Sequence, residues 1–216
     1  ELLGIIALFI VATPALNRIV EWNEAMHLPE ALYNIEQWMR QQENAATKIT
    51  EQILQVNSFS HFLAVIFGIG ILTGIGEEMI FRGVLQRIVQ DKNHRAHVAV
   101  WICAFLFSAI HLQFYGFIPR LLLGAFFGYL LVWSKNLWLP IFAHLFNNST
   151  VACISYFTND KSPDNLIETV GTSGSPTSWL AGASLIGTVI LLYVLYKKVF
   201  VSKSKEFFPM EDKITP

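Results

Sequence analysis

The stretch FLAVIFGIGILTGIGEEMIFRG, residues 62–83, decides the fold of this chain. Residues 62–76 carry no charge. Two adjacent acids, Glu77 and Glu78, and an arginine, Arg82, then follow without a break in the apolar pattern. A run of this kind is a membrane-spanning helix, because about 20 mostly apolar residues cross the hydrocarbon core. Ionisable groups are costly inside such a helix, so each of these three needs a partner or a chemical task.

The rest of the chain agrees with that reading. It has 216 residues, 53% hydrophobic and only 14% charged, with a mean hydropathy of +0.46. A soluble domain carries about 25% charged residues, so the expected fold class is all-α: a polytopic transmembrane helical bundle. The net charge of −1 argues against a nucleic-acid partner; the partners expected from composition are membrane lipids. Cys103 and Cys153 lie in apolar segments, outside any metal-binding spacing, and read as small packing residues. The chain opens on an apolar run, with no Met and no basic region before it. That pattern reads as a span clipped near its beginning rather than a signal peptide.

Apolar runs place about six spanning helices, over residues 1–20, 59–80, 97–117, 118–134, 138–158 and 178–200. Residues 57–158 form the expected catalytic core. Gly116 and Pro119 mark a tight turn between the third and fourth spans, and 134–136 is a short connection. Gly70/Gly74 and Gly124/Gly128 have the small-xxx-small spacing that lets membrane helices approach closely. Residues 21–56 differ in kind. Leu28, Leu32, Ile35, Trp38 and Met39 recur at near-helical spacing in a polar background, which predicts an amphipathic segment lying along the membrane interface. Residues 159–177 read as a non-cytoplasmic loop and 201–216 as a cytoplasmic tail. Arg82, Arg87, Lys92, Arg95, Lys135, Lys197 and Lys198 fall on one side of a six-span chain, and that side is expected to be cytoplasmic.

The unexpected polar residues of the spans sit on three separate segments: Glu77 and Glu78; His111; and His144 with Asn147 and Asn148. Any one alone can be a helix-packing group. Together they imply one shared polar cavity. Residues i and i+4 share a helical face, so Arg82 can neutralise Glu78, whereas Glu77 is rotated by about 100° and left for chemistry. His144 and Asn148 share a face, as do Phe107 and His111. A carboxylate and a histidine around one water can deprotonate it, and a second imidazole with an amide can stabilise an oxyanion. That set suits peptide-bond hydrolysis. Zinc held by Glu77, His111 and His144 is an open alternative, although there is no HExxH.

Glu77-Glu78-xxx-Arg82, Phe107-xxx-His111 and His144-xxx-Asn148 resemble, in order, the EExxxR, FxxxH and HxxxN motifs of the CPBP family of intramembrane proteases. These are the type II CAAX prenyl endopeptidases and their bacteriocin-processing and immunity relatives. The resemblance covers residues 60–155. It implies a glutamate-dependent endopeptidase with catalytic Glu77, His111, His144 and Asn148. Glu78, Arg82 and Phe107 would be supporting, and no cofactor would be required. It implies a substrate protein or peptide, either prenylated near its C-terminus or carrying a leader, docking in a cavity open to the cytoplasm. The expected location is the plasma (inner) membrane for a prokaryotic source. A catalytically silent immunity or scaffold protein would show an eroded motif, and none is eroded. A proton-coupled transporter would string its ionisable groups across the membrane, whereas these cluster.

Overall fold

In a computed structural model, which describes residues 1–93, 95–158 and 169–197, the chain is a bundle of helices with no strand among the described residues. α1 is Leu2–Glu24, α2 is Tyr33–Leu54, α4 is Ala96–Ala109, α5 is Phe117–Ser134, α6 is Trp138–Thr158 and α7 is Leu180–Val194. α3 is a composite rod over residues 59–93, in which the wide turns Ile66–Leu72 and Met79–Leu85 alternate with ordinary α-helix. Four helices are long and apolar enough to cross a membrane: Leu2–Glu24, Phe59–Gln90, Phe114–Ser134 and Leu180–Lys197. α4 is apolar but shorter. α6 is long, but His144 and the run Asn147–Thr150 dilute its hydropathy. The chain is therefore an integral membrane protein with an all-α bundle fold. Of the expected loop over 159–177, residues 159–168 lie outside the described residues, as do the end of the last span from 198 and the expected tail over 201–216.

Two boundaries differ from expectation for identifiable reasons. The second span runs on to Asn93 rather than stopping near 80, so the acidic pair sits in mid-rod. Arg82 and Gln86, 0% and 1% exposed, are paired by neighbouring helices, and a paired polar group does not end a helix. The third span stops at Ala109 because the chain reverses just after it. Leu112 has φ 54, a left-handed conformation that few bulky residues adopt, and the short turn Phe114–Gly116 leads into α5. Pro119 lies in the first turn of α5, where its missing N–H costs nothing.

Glycines set the helix spacing. A Cβ on Gly74 would lie 3.2 Å from the backbone nitrogen of Leu145, so α3 and α6 meet almost backbone to backbone. A Cβ on Gly124 would lie 3.1 Å from the Phe107 ring and 3.3 Å from Ala104 Cα, which brings α5 equally close to α4. Pro14 removes one N–H from α1. Beside it, Ser184 of α7 enters the ladder: its Oγ donates to Val11 O at 2.5 Å and accepts from Ala15 N at 3.1 Å.

α2 has no buried residue and is held by polar latches. Glu36 accepts from Arg40 Nη2 at 2.7 Å and from Leu28 N at 2.9 Å. Those bonds, Arg40 foremost, hold its carboxyl down to about 2. A depressed carboxylate stabilises the folded form above its unfolded value, and that contribution is lost as pH falls through the folded value. Hydrogen-exchange protection over residues 33–54, relative to the intrinsic rate at each pH, should therefore fall as pH drops from 4.5 to about 2, and Glu36→Gln should be weakly protected throughout. No acid-dependent loss of protection in the native chain would refute the latch. The first half of α2 also covers the turn after α4: Trp38 packs on Phe114, with ring centroids 5.3 Å apart, and Glu43 accepts from Tyr115 N at 2.9 Å.

Candidate active site

The site is built on the two wide turns of α3. A π turn leaves backbone carbonyls without their usual intrahelical partners. Here Thr73 Oγ1 donates to Gly68 O at 3.0 Å, and Asn148 Nδ2 of α6 donates to Ile69 O at 3.1 Å. Asn148 thus ties the two helices together on the N-terminal side of the acids, and Asn147 Nδ2 donates to its Oδ1 at 3.3 Å.

Glu78 is the hub. It is fully enclosed, and its Oε1 accepts from Arg82 Nη1 at 2.9 Å and from His144 Nδ1 at 2.8 Å. Arg82 also donates from Nη2 to Gly124 O at 2.7 Å. Its guanidinium lies 4.8 Å from the Phe107 ring centroid and 5.4 Å from that of Phe127. One turn on, Gln86 Nε2 donates to Gly128 O at 3.1 Å. α3 is therefore riveted to α5 by a matched pair of side chains and carbonyls, each four residues apart. Gln86 was not among the expected residues; its signal was the shared i, i+4 step of Arg82/Gln86 and Gly124/Gly128.

His144 stacks on Phe127, with centroids 5.0 Å apart and planes 19° apart. An ionised Glu78 can only accept, so Nδ1 of His144 carries the proton of their bond. Its Nε2 faces the other acid, 3.7 Å from Glu77 Oε2. Glu77 differs from its neighbour in being open, with 26% of its side chain exposed. His111 Nδ1 meets Phe107 O at 2.7 Å. A carbonyl cannot donate, so that nitrogen is the N–H and the lone pair of the neutral ring is on Nε2. His111 stands within electrostatic reach of both Glu77 and His144, and the Phe107 ring is 5.2 Å from its own. Glu77, Glu78, Arg82, Phe107, His111 and His144 thus converge on one cluster, with Asn148 beside it on the α3–α6 seam. Ser108 is excluded: it is buried, and its Oγ donates to Phe117 O at 2.8 Å.

The half-exposed members, Glu77 and His111, lie toward the turn covered by α2. The enclosed Glu78, Arg82 and Gln86 run toward the basic connection at 87–95. Among the described residues no three His, Cys, Asp or Glu side chains are grouped to hold a metal ion.

Fold and site together define a class: a helical membrane protein with a locked carboxylate–arginine–histidine triad beside an open carboxylate. Residues 59–150 match the family model described as Rce1-like, type II CAAX prenyl endopeptidase. That segment holds all three motifs, and over it the resemblance read from them is shown. The uncharacterized protein YpbD of Bacillus subtilis (strain 168) is 29% identical over 109 residues, 49% of this chain and 51% of that protein. The chain thus spans about half the length of the curated relative it matches. No solved structure matches.

Proposed function

We propose that this chain is an intramembrane endopeptidase in which Glu77 is the general base. The observation that carries the reading is the division of labour between adjacent acids. Glu78 is fully enclosed and spent on Arg82 and His144, whereas Glu77 is open and faces His144 Nε2 at 3.7 Å.

A water between Glu77 and His111 Nε2 gives up a proton to the carboxylate as its oxygen attacks the scissile carbonyl carbon. The carbonyl electron pair moves onto oxygen, where His144 Nε2–H and the second N–H of Asn148 supply donors. With Nδ1 held as a donor by Glu78, an Nε2 donor means that His144 acts with both ring nitrogens carrying a proton. The C–N bond then breaks, and the leaving nitrogen takes the proton back from Glu77. Phe107 and Phe127 wall the imidazole and exclude water from the Glu78–Arg82 pair. The reading needs no metal ion. The basic end is the cytoplasmic side by charge bias, and the substrate is a membrane-associated protein or peptide, prenylated or carrying a leader.

The test is a comparison of cellular proteins and peptides between cells expressing the native chain and cells expressing Glu77→Ala at equal level. An accumulated precursor with a missing shorter product is the expected result, and the purified enzyme should cleave that precursor with or without chelator. Identical profiles would remove the protease reading. Chelator-sensitive cleavage restored by zinc would replace the metal-free mechanism.

A further inference from the structure

The cluster has another charged neighbour that none of the three motifs contains. Arg120 lies within the span Phe114–Ser134, where an unpaired cation is costly. The reversal at Leu112 folds the start of α5 back over the end of α4, which puts Arg120 beside the His111 loop. Its Nη2 donates to Gln113 Oε1 at 2.7 Å and its Nη1 to Gln113 O at 3.4 Å. Gly116 leaves room for the guanidinium: a Cβ there would lie 3.3 Å from Nη2.

Arg120 is half-buried and within electrostatic reach of Glu43 on α2 and of Glu77. Yet among the described residues no carboxylate lies within ion-pair distance of it. Arg82 differs in every respect: it is enclosed, bonded to Glu78 and ringed by phenylalanines. Of the two arginines near the acids, one is consumed by the fold. The other is only partly buried and oriented by Gln113, with N–H groups beyond the two that Gln113 engages.

We propose that Arg120 is the anion anchor of this site, its guanidinium binding a substrate carboxylate next to the bond whose hydrolysis Glu77 promotes. The proposal rests on the endopeptidase reading and deepens it by naming a substrate class: peptides with a carboxylate close to the scissile bond. That carboxylate is either the chain's own C-terminus or an Asp or Glu side chain. The planar fork of arginine suits bidentate capture of a carboxylate, and Gln113 limits its rotation. The competing role is purely internal, with Arg120 balancing the charges of Glu43 and Glu77. An internal role affects all substrates alike, whereas an anchor discriminates among them.

The experiment uses the full chain in detergent and quenched fluorescent peptides with a prenylated Cys-aliphatic-aliphatic-X end, in three forms. One is the free acid, one its C-terminal amide, and one an amide with Asp at the last position. The native enzyme should prefer the free acid over the plain amide by about tenfold or more in kcat/KM, the size of one charge-assisted hydrogen bond, with the difference in KM. The Asp amide tells the two carboxylate sources apart: cleavage like the acid means either serves, and cleavage like the plain amide means the C-terminus is read. Arg120→Gln should bring the acid-to-amide ratio to about one, and Arg120→Lys should restore part of it. Equal slowing of all forms by Arg120→Gln, or no native preference, overturns the anchor. If the native enzyme cleaves none of these peptides, that failure belongs to the endopeptidase reading, and binding decides the anchor. A larger thermal shift of the Glu77→Gln protein with the acid than with the amide, abolished by Arg120→Gln, supports it. Equal shifts overturn it.

Discussion

Glu77→Gln is expected to lose cleavage by about 10²–10⁴-fold, the range that a positioned general base contributes, while folding and inserting normally. The substitution keeps the shape and removes the proton acceptor. The side chain is 26% exposed, and its nearest charged contact is 3.7 Å away at His144 Nε2, so little of the packed core depends on it. The loss should lie in kcat with KM nearly kept, because the group acts on water rather than holding substrate. Glu78→Gln is the informative contrast. It removes the acceptor shared by Arg82 and His144, so it should lower both the melting temperature and kcat. Full activity in Glu77→Gln would end the assignment of Glu77 as base.

Arg82→Ala should produce the largest loss of stability from a single side chain in the cluster, about 3–5 kcal/mol, as for breaking a buried ion pair from one side. Both partners are fully enclosed at 0% exposure. The variant leaves the buried Glu78 with His144 as its one remaining partner, leaves Gly124 O without its 2.7 Å donor, and opens a hole beside the Phe81, Phe107 and Phe127 rings. The double variant Glu78→Leu with Arg82→Leu should recover part of that stability, since paired removal leaves no stranded charge. It should remain inactive, because His144 loses the group that orients it. A thermal melt of Arg82→Ala indistinguishable from the native protein would refute the ion pair.

Much of this was legible from residue order. The apolar runs determined an all-helical membrane bundle, because lipid leaves the backbone only internal hydrogen bonds. Spacing alone paired Glu78 with Arg82 and set Glu77 apart, because i, i+4 geometry is local to one helix. The small-xxx-small glycines announced close helix approach, and Gly74 against Leu145 and Gly124 against Ala104 are such contacts.

Contacts between helices were not legible in this way. That His144 turns Nδ1 to Glu78, that Asn148 reaches the Ile69 carbonyl, and that Gln86 and Arg82 engage successive carbonyls of α5 all depend on how far one rod slides and rotates against another. The wide turns of α3 shift that rotation by steps that no apolar pattern records. Arg120 was overlooked for the same reason. On a sequence it is one arginine at the start of an apolar run, and only the left-handed turn at Leu112 brings it back to His111.

The sequence by itself determined the class of protein, the residues of the cluster and the first ion pair, since these follow from lipid solvation and helical periodicity. The tertiary structure alone decided that His144 shares Glu78 with Arg82, that Nδ1 of His111 is held by the Phe107 carbonyl, and that Arg82 and Gln86 reach the carbonyls of Gly124 and Gly128. The contacts of His144, Arg82 and Gln86 depend on distances between helices, which the glycine contacts and the α4–α5 reversal set.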